Sequence, residues 1–244
     1  MAPNHVSWLA LIVACMALLG GCRDASPEVP EPAYTLVFLK TGPKSGQIPE
    51  EENSKLFEGH FANMERMAAD GQLLVAGPFG AQRHDKALRG LFVLDTSVRA
   101  EAERWAGSDP PTKAGVFTLE FHDLATSAPF RRALEAAMAQ RAEQSAQGRT
   151  ASPGDEARPY VLLTAENFDL AARELAALLN SEGGVYFLGH LDGTRAFALL
   201  DAANLEVARE RFATPLANMG SHVIDEWFAS DQLAQLHDNG VGTH

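Results

Sequence analysis

The feature that most constrains this chain is an internal repetition. Gly71–Pro78 reads GQLLVAGP, and Gly183–His190 reads GGVYFLGH. Further on, Leu91–Asp95 (LFVLD) is answered by Phe197–Asp201 (FALLD). Each block lies inside the same succession of patterns. In the first half, Tyr34–Thr41 is rich in β-branched and aromatic residues and predicts a strand. Glu50–Gly71 carries helical periodicity and stops at a glycine. Gln72–Pro78 and Arg89–Asp95 predict strands, Val98–Ala106 a helix, and Ala114–Asp123 a long alternating strand. In the second half the order returns as Tyr160–Glu166, Phe168–Ser181, Val185–Leu191, Arg195–Asp201, Leu205–Ala213 and His222–Ser230. Six elements in one order, twice, indicate a tandem duplication.

The order β-α-β-β-α-β is that of a ferredoxin-like unit. Such a unit covers one sheet face with two helices and leaves the other bare. In the strand ending at Asp123, Phe117, Leu119 and Phe121 suit the helix side, whereas Val116, Thr118, Glu120 and His122 are only half apolar. That second face needs a partner sheet, which a duplicated chain supplies from within. The expected fold is therefore α+β: two tandem βαββαβ units packing sheet to sheet as a pseudo-dimeric α+β barrel, in a monomer. The units span residues 34–137 and 160–230. Residues 138–159 form a helical extension and a Gly-, Pro- and Ser-rich linker, and residues 231–244 a C-terminal tail.

Composition narrows the partners. A net charge of −12, from 20 basic and 32 acidic residues, argues against nucleic acid, whose phosphates require clustered Lys and Arg. None of the charged residues lies in the first 21 positions. Ser7–Leu19 (SWLALIVACMALL) has the length of a signal-peptide core and is too short to span a bilayer. It runs into Leu19-Gly20-Gly21-Cys22, which resembles a bacterial lipobox. That resemblance implies a leader over residues 1–21, a diacylglycerol group on Cys22, and a tether over residues 22–33. The expected location is the bacterial cell envelope, with the protein held to a membrane through the lipid on Cys22. The MAPNHV start departs from the pattern, having no Lys or Arg. Cys15 would leave with the leader and Cys22 would carry lipid, so no thiol remains for catalysis or a disulfide.

One histidine stands out. At 100° per residue, Leu56–Ala68 places Phe57, Phe61, Met64, Met67 and Ala68 in one apolar arc, and His60 falls inside it, about 60° from Phe57. A histidine there faces the sheet and needs a partner for its ring N–H. A neutral, oriented imidazole in an apolar setting suits a general base. A core histidine bonded to a backbone carbonyl shows the same pattern. Glu120 and His122 share a strand face and can pair. The remaining histidines show no HExxH, HxH or CxxC spacing, and no Gly-rich phosphate loop or GxSxG elbow occurs, so no metal and no cofactor is expected.

The first half resembles the YciI or YCII-related domain family. The resemblance rests on YTLVFLK at 34–40, on His60-Phe61-Ala62-Asn63-Met64, and on Asp70–Pro78 (DGQLLVAGP). It continues through Trp105–Pro110 (WAGSDP) and Ala114–Phe117 (AGVF). It implies a ferredoxin-like fold that pairs its sheets as α+β barrels. Its members are similar to muconolactone isomerase and to a dehydrochlorinase of chlorinated hydroquinones. The family pairs a helix histidine with the aspartate of its Asp-Pro motif, here His60 and Asp109. Met64, Gly77 and Pro78 are the expected pocket-lining residues. Asp109-Pro110 also reads as a turn or cap, and Ala76-Gly77-Pro78 as a strand-ending turn.

The second half departs from this pattern. The position matching His60 is Ala172, and Thr214-Pro215-Leu216 stands where an Asp-Pro would be. Two functions follow. One is a cofactor-independent isomerase or lyase, working with a His60–Asp109 general acid/base dyad on a small ring-containing molecule. The other is a non-catalytic envelope lipoprotein that binds a small ligand or has a structural role.

Overall fold

The computed structural model describes residues 33–149, 157–179, 181 and 183–237. The leader, Cys22, the tether, much of the linker and the end of the C-terminal tail lie outside them. The first unit consists of β1 (Tyr34–Thr41), α1 (Glu50–Ala69), β2 (Leu73–Pro78), β3 (Leu88–Leu94), α2 (Arg99–Ala106), α3 (Pro110–Lys113) and β4 (Phe117–Ala125). A 17-residue helix, α4 (Phe130–Ala146), leads out of it. The second unit consists of β5 (Ala157–Ala165), α5 (Phe168–Leu175), β6 (Val185–Leu191), β7 (Arg195–Leu200), α6 (Leu205–Arg211), α7 (Ala213–Asn218) and β8 (His222–Ser230). The fold is α+β, as expected.

The eight strands form one sheet in the order β2-β3-β1-β4-β6-β7-β5-β8, and every pair is antiparallel. The two units thus contribute the same order, joined edge to edge. One seam pairs β4 with β6, Leu124 opposite Leu191. At the other, Phe79 and Trp227 form an antiparallel bridge just past β2, and Gly80 N–H donates to Glu226 O. A ladder seam and a bridged seam close the sheet on itself, so the bare faces meet inside a barrel.

Register shows the duplication independently of sequence. Leu36 stands opposite His122 in the first unit and Leu162 opposite Asp225 in the second. The register of β2 on β3 shifts between Leu73 and Val75, and that of β6 on β7 between Val185 and Phe187, which are matching positions. Gly71 and Gly183, each two residues before its strand, have φ of 70° and 68°. That left-handed conformation favours glycine.

Three apolar clusters fill the molecule. Inside the barrel lie Leu36, Leu91, Tyr160, Leu162, Phe197 and Trp227, among others. Phe130, from the start of α4, stacks edge-on against Tyr34 and Phe187 at one end of this interior. On the outside, Val37, Leu39, Met67, Phe92 and Leu94 pack beneath the first unit's helices. Val161, Leu163, Leu175, Leu200 and Phe212 do so beneath the second unit's. In β4, Phe117, Leu119 and Phe121 join the helix-side cluster and Leu124 the interior, as the alternation predicts, but Val116, expected on the opposite face, precedes the strand and packs on the helix side too.

Helix α1 forms because Leu56, Phe57, His60, Met64 and Met67 recur at spacings of one to four on one side. Glu50, Glu51 and Glu52 sit in its first turn, where the helix dipole favours negative charge. Asp109-Pro110-Pro111 does not merely break the chain. The two prolines open α3, a position that uses proline's fixed φ and needs no N–H.

Candidate functional site

His60 and Asp109 come together where α1 crosses the start of α3. The His60 Nδ1–H donates to Asp109 Oδ1 at 2.7 Å. His60 is buried and Asp109 fully so. The second oxygen of Asp109 accepts from the Thr112 hydroxyl at 3.1 Å. Although Asp109 stands at the N-cap position of α3, its side chain caps no backbone N–H. Its carboxylate is committed to the imidazole and one hydroxyl instead. A buried carboxylate that loses such a partner costs about 3–5 kcal/mol.

Four phenyl rings surround the imidazole. Phe92 lies nearly parallel to it, with ring centroids 6.1 Å apart and an interplanar angle of 20°. Phe57, Phe61 and Phe117 meet it edge-on. No hydrogen-bond partner meets Nε2 among the described residues. With Nδ1 donating to Asp109, Nε2 carries the lone pair, and the carboxylate fixes that tautomer.

A cavity of about 430 Å³ reaches Phe61, the ring beside His60. Phe61 and Met64 of α1, Gly77 and Pro78 of β2, Leu134 of α4 and Phe228 of β8 contribute to its walls. It occupies the side of the barrel where β2 and β8 run beyond their bridge without forming a ladder, and α4 lies across it. Met64, Gly77 and Pro78 therefore share one cavity. His60 and Asp109 do not line it; Phe61, whose ring is 5.6 Å from the imidazole, stands between.

A second polar group sits on the barrel's inner face. Glu120 Oε1 is 2.9 Å from His122 Nε2, the pair expected from the strand face. His122 Nδ1 is in turn 2.8 Å from Asp192 Oδ2, at the β6–β7 turn of the second unit. Lys40 bridges Asp85 and Glu120 at 3.0 and 3.2 Å. Burial alone would raise the Glu120 carboxyl, but the hydrogen bonds from Lys40 and His122 hold it below its ordinary value. Burial likewise opposes, and His122, Arg195 and the Asp123 N–H overcome, in lowering Asp192. At the opposite seam, His84 donates its backbone N–H to Asp225 Oδ1 at 2.6 Å and its Nδ1–H to Oδ2 at 2.7 Å. Sequence reasoning missed both cross-unit contacts, because neither spacing nor alternation says which strand edges meet.

Among the described residues the second unit carries no such dyad. Ala171, Leu175, Phe212 and Leu216 fill its helix–sheet layer.

Residues 34–120, within the first unit, match the family model of the YCII-related domain. No curated protein matches the chain in sequence. Among solved structures, a candidate monooxygenase from Lactobacillus acidophilus NCFM aligns with a TM-score of 0.43 and 12% identity, over 82% of this chain and 94% of its own. The siroheme decarboxylase NirDL aligns with a TM-score of 0.40 and 11% identity, over 81% of this chain and 71% of its own.

Proposed function

We propose that this YCII-related protein is a cofactor-independent isomerase or lyase, acting on a small ring-containing molecule with His60 as general base and acid. The observation that carries this reading is the 2.7 Å bond from His60 Nδ1 to a fully buried Asp109, with Nε2 bonded to none of the described residues. Nε2 accepts a proton from a phenol or an activated carbon, and Asp109 stabilises the imidazolium that forms. The same nitrogen then returns the proton at another atom or to a leaving group. No net proton is consumed by the protein. The neighbouring cavity has the size and the apolar character that suit a small ring. Motion of the Phe61 side chain, which is 42% exposed, would connect that cavity to Nε2.

A second reading rests on the phenyl packing. Four rings fill the space around His60, and Phe61 separates it from the cavity. On that reading the protein binds its ligand beside α1 and does no chemistry. A thermal-shift screen of small aromatic compounds on wild type, His60→Ala and Asp109→Asn separates the two. Catalytic use of the dyad predicts ligand stabilisation or turnover in wild type and its loss in both variants. Equal stabilisation of all three would leave only the binding reading.

The proposal includes the tether. Lipid on Cys22 holds the barrel at an envelope membrane as a monomer, with a small molecule and the bilayer, not nucleic acid, as its partners. Fractionation of Cys22→Ala should move the protein from the membrane to the soluble fraction, and retention in the membrane would remove this part.

A further inference from the structure

A second cleft lies away from the dyad, and its lining runs against the character of the chain. It has a volume of about 740 Å³ and lies between the connection from β2 to β3 and the outer layer of the second unit. Arg83, His84, Lys86, Arg209 and His222 line it, and no Asp or Glu does. This occurs in a chain with 32 acidic and 20 basic residues. The opposite wall sets Leu205, Leu216 and Ile224 beside Arg209 and His222.

The connection that builds the basic wall breaks the molecule's pseudo-symmetry. Nine residues, Phe79–Ala87, join β2 to β3, whereas three join β6 to β7. A hairpin needs only the shorter kind. The added residues form a cationic ridge against α6, α7 and β8. The one acid within it, Asp85, turns away to bind Lys40 at 3.0 Å. The Arg83 guanidinium holds the ridge in shape by donating to Gly80 O and Lys86 O, and its Nε is buried without a partner. Lys86 Nζ reaches Ala81 O at 3.2 Å, which leaves two of its donors free. Arg209 makes no hydrogen bond or ion pair among the described residues. His222 uses only Nδ1, on Gly220 O at 2.8 Å, and His84 only its backbone N–H and Nδ1, on Asp225. Of the two carboxylates beside the ridge, Asp225 is held through both oxygens by His84, and Glu226 lies against Gly80, outside the cleft's lining.

We propose that this cleft binds an organic anion, with its oxyanion group, phosphate or carboxylate, against the basic ridge and its apolar body against α6 and α7. Convergent Arg, Lys and His donors without a competing carboxylate recognise such a group by charge-assisted hydrogen bonds. A cleft of this volume takes more than a bare inorganic ion. The site is independent of the dyad and draws on both units.

Titration calorimetry of the full-length protein with 1-naphthyl phosphate, 1-naphthoate and 1-naphthol tests it. One or both anions should bind saturably and more tightly than the neutral alcohol, and the better of the two identifies the preferred head group. Arg209→Glu, at an exposed and unbonded side chain, should weaken that binding by about tenfold or more, since it replaces attraction by repulsion at short range. Raising the salt should weaken it in wild type as well. Lys86→Ala gives a second variant on the opposite wall with the same expectation. Failure of both anions to bind, equal binding of 1-naphthol, or unchanged affinity in Arg209→Glu would each overturn the proposal.

Discussion

Gly77 shows how much one absent methyl group decides. Its carbonyl accepts from Trp227 Nε1 at 3.0 Å, and a Cβ built on it would stand 1.8 Å from Phe228 O. No rotamer relieves a clash with backbone, so any larger residue pushes β2 away from β8. Gly189, its counterpart, is similarly confined beside Ala125 O at 2.9 Å. Gly77→Ala should therefore destabilise the fold by about 1–3 kcal/mol, read as a lower urea midpoint with an unchanged slope. An unaltered midpoint would show that the seam has slack there. Met64, Gly77 and Pro78 are the pocket-lining residues expected from the sequence, and all three line one cavity. The sequence also places His60 on the inward arc of α1 and, through the family resemblance, pairs it with Asp109. It does not reveal the Thr112 hydroxyl on the same carboxylate, or the Phe61 ring between imidazole and cavity. Both depend on the angle at which α1 crosses α3.

At the scale of elements, the β6–β7 hairpin is the clearest case of a short segment with a large reach. Its Asp192 adopts φ 51° and Gly193 φ 79°, the pair of left-handed residues that a tight hairpin turn requires. That turn carries the Asp192 carboxylate into the first unit, where it accepts from the Asp123 N–H at 3.0 Å and meets His122. Asp192 and Glu120 are both held below the usual carboxylate range. A depressed carboxyl contributes stability that is complete above its unfolded pKa, about 4, and is lost as the pH falls through the folded value. The urea midpoint should therefore fall more steeply below about pH 4 in wild type than in Asp192→Asn, so that the two converge in acid. Parallel curves would mean that the hairpin contact contributes nothing in solution. Strand and helix order was legible from alternation and from Gly and Pro punctuation. The start of α3 was not, because Asp-Pro-Pro serves equally to stop a chain and to open a helix. The run of β5 back to Ala157 was hidden too, since its first residues pair with the far end of β8 and carry no alternation of their own.

At the scale of the molecule, duplication was legible and closure was only half so. Six repeated elements and a half-apolar β4 face call for an internal partner sheet. They do not say that the partner arrives edge to edge, through one seam of ladder pairs and another with a single bridge. Nor do they foretell the basic cleft, whose side chains come from three stretches distant in sequence and meet only because β8 returns beside the β2–β3 connection. The two seams also differ in a telling way. Each is crossed by one imidazole and one carboxylate: His122 with Asp192, and His84 with Asp225. Both imidazoles belong to the first unit and both carboxylates to the second. Were either unit to pair with a copy of itself in the same manner, it would set imidazole against imidazole, or two acceptor-only groups of like charge face to face. The halves have thus ceased to be interchangeable: each is the other's complement, and neither is any longer its own.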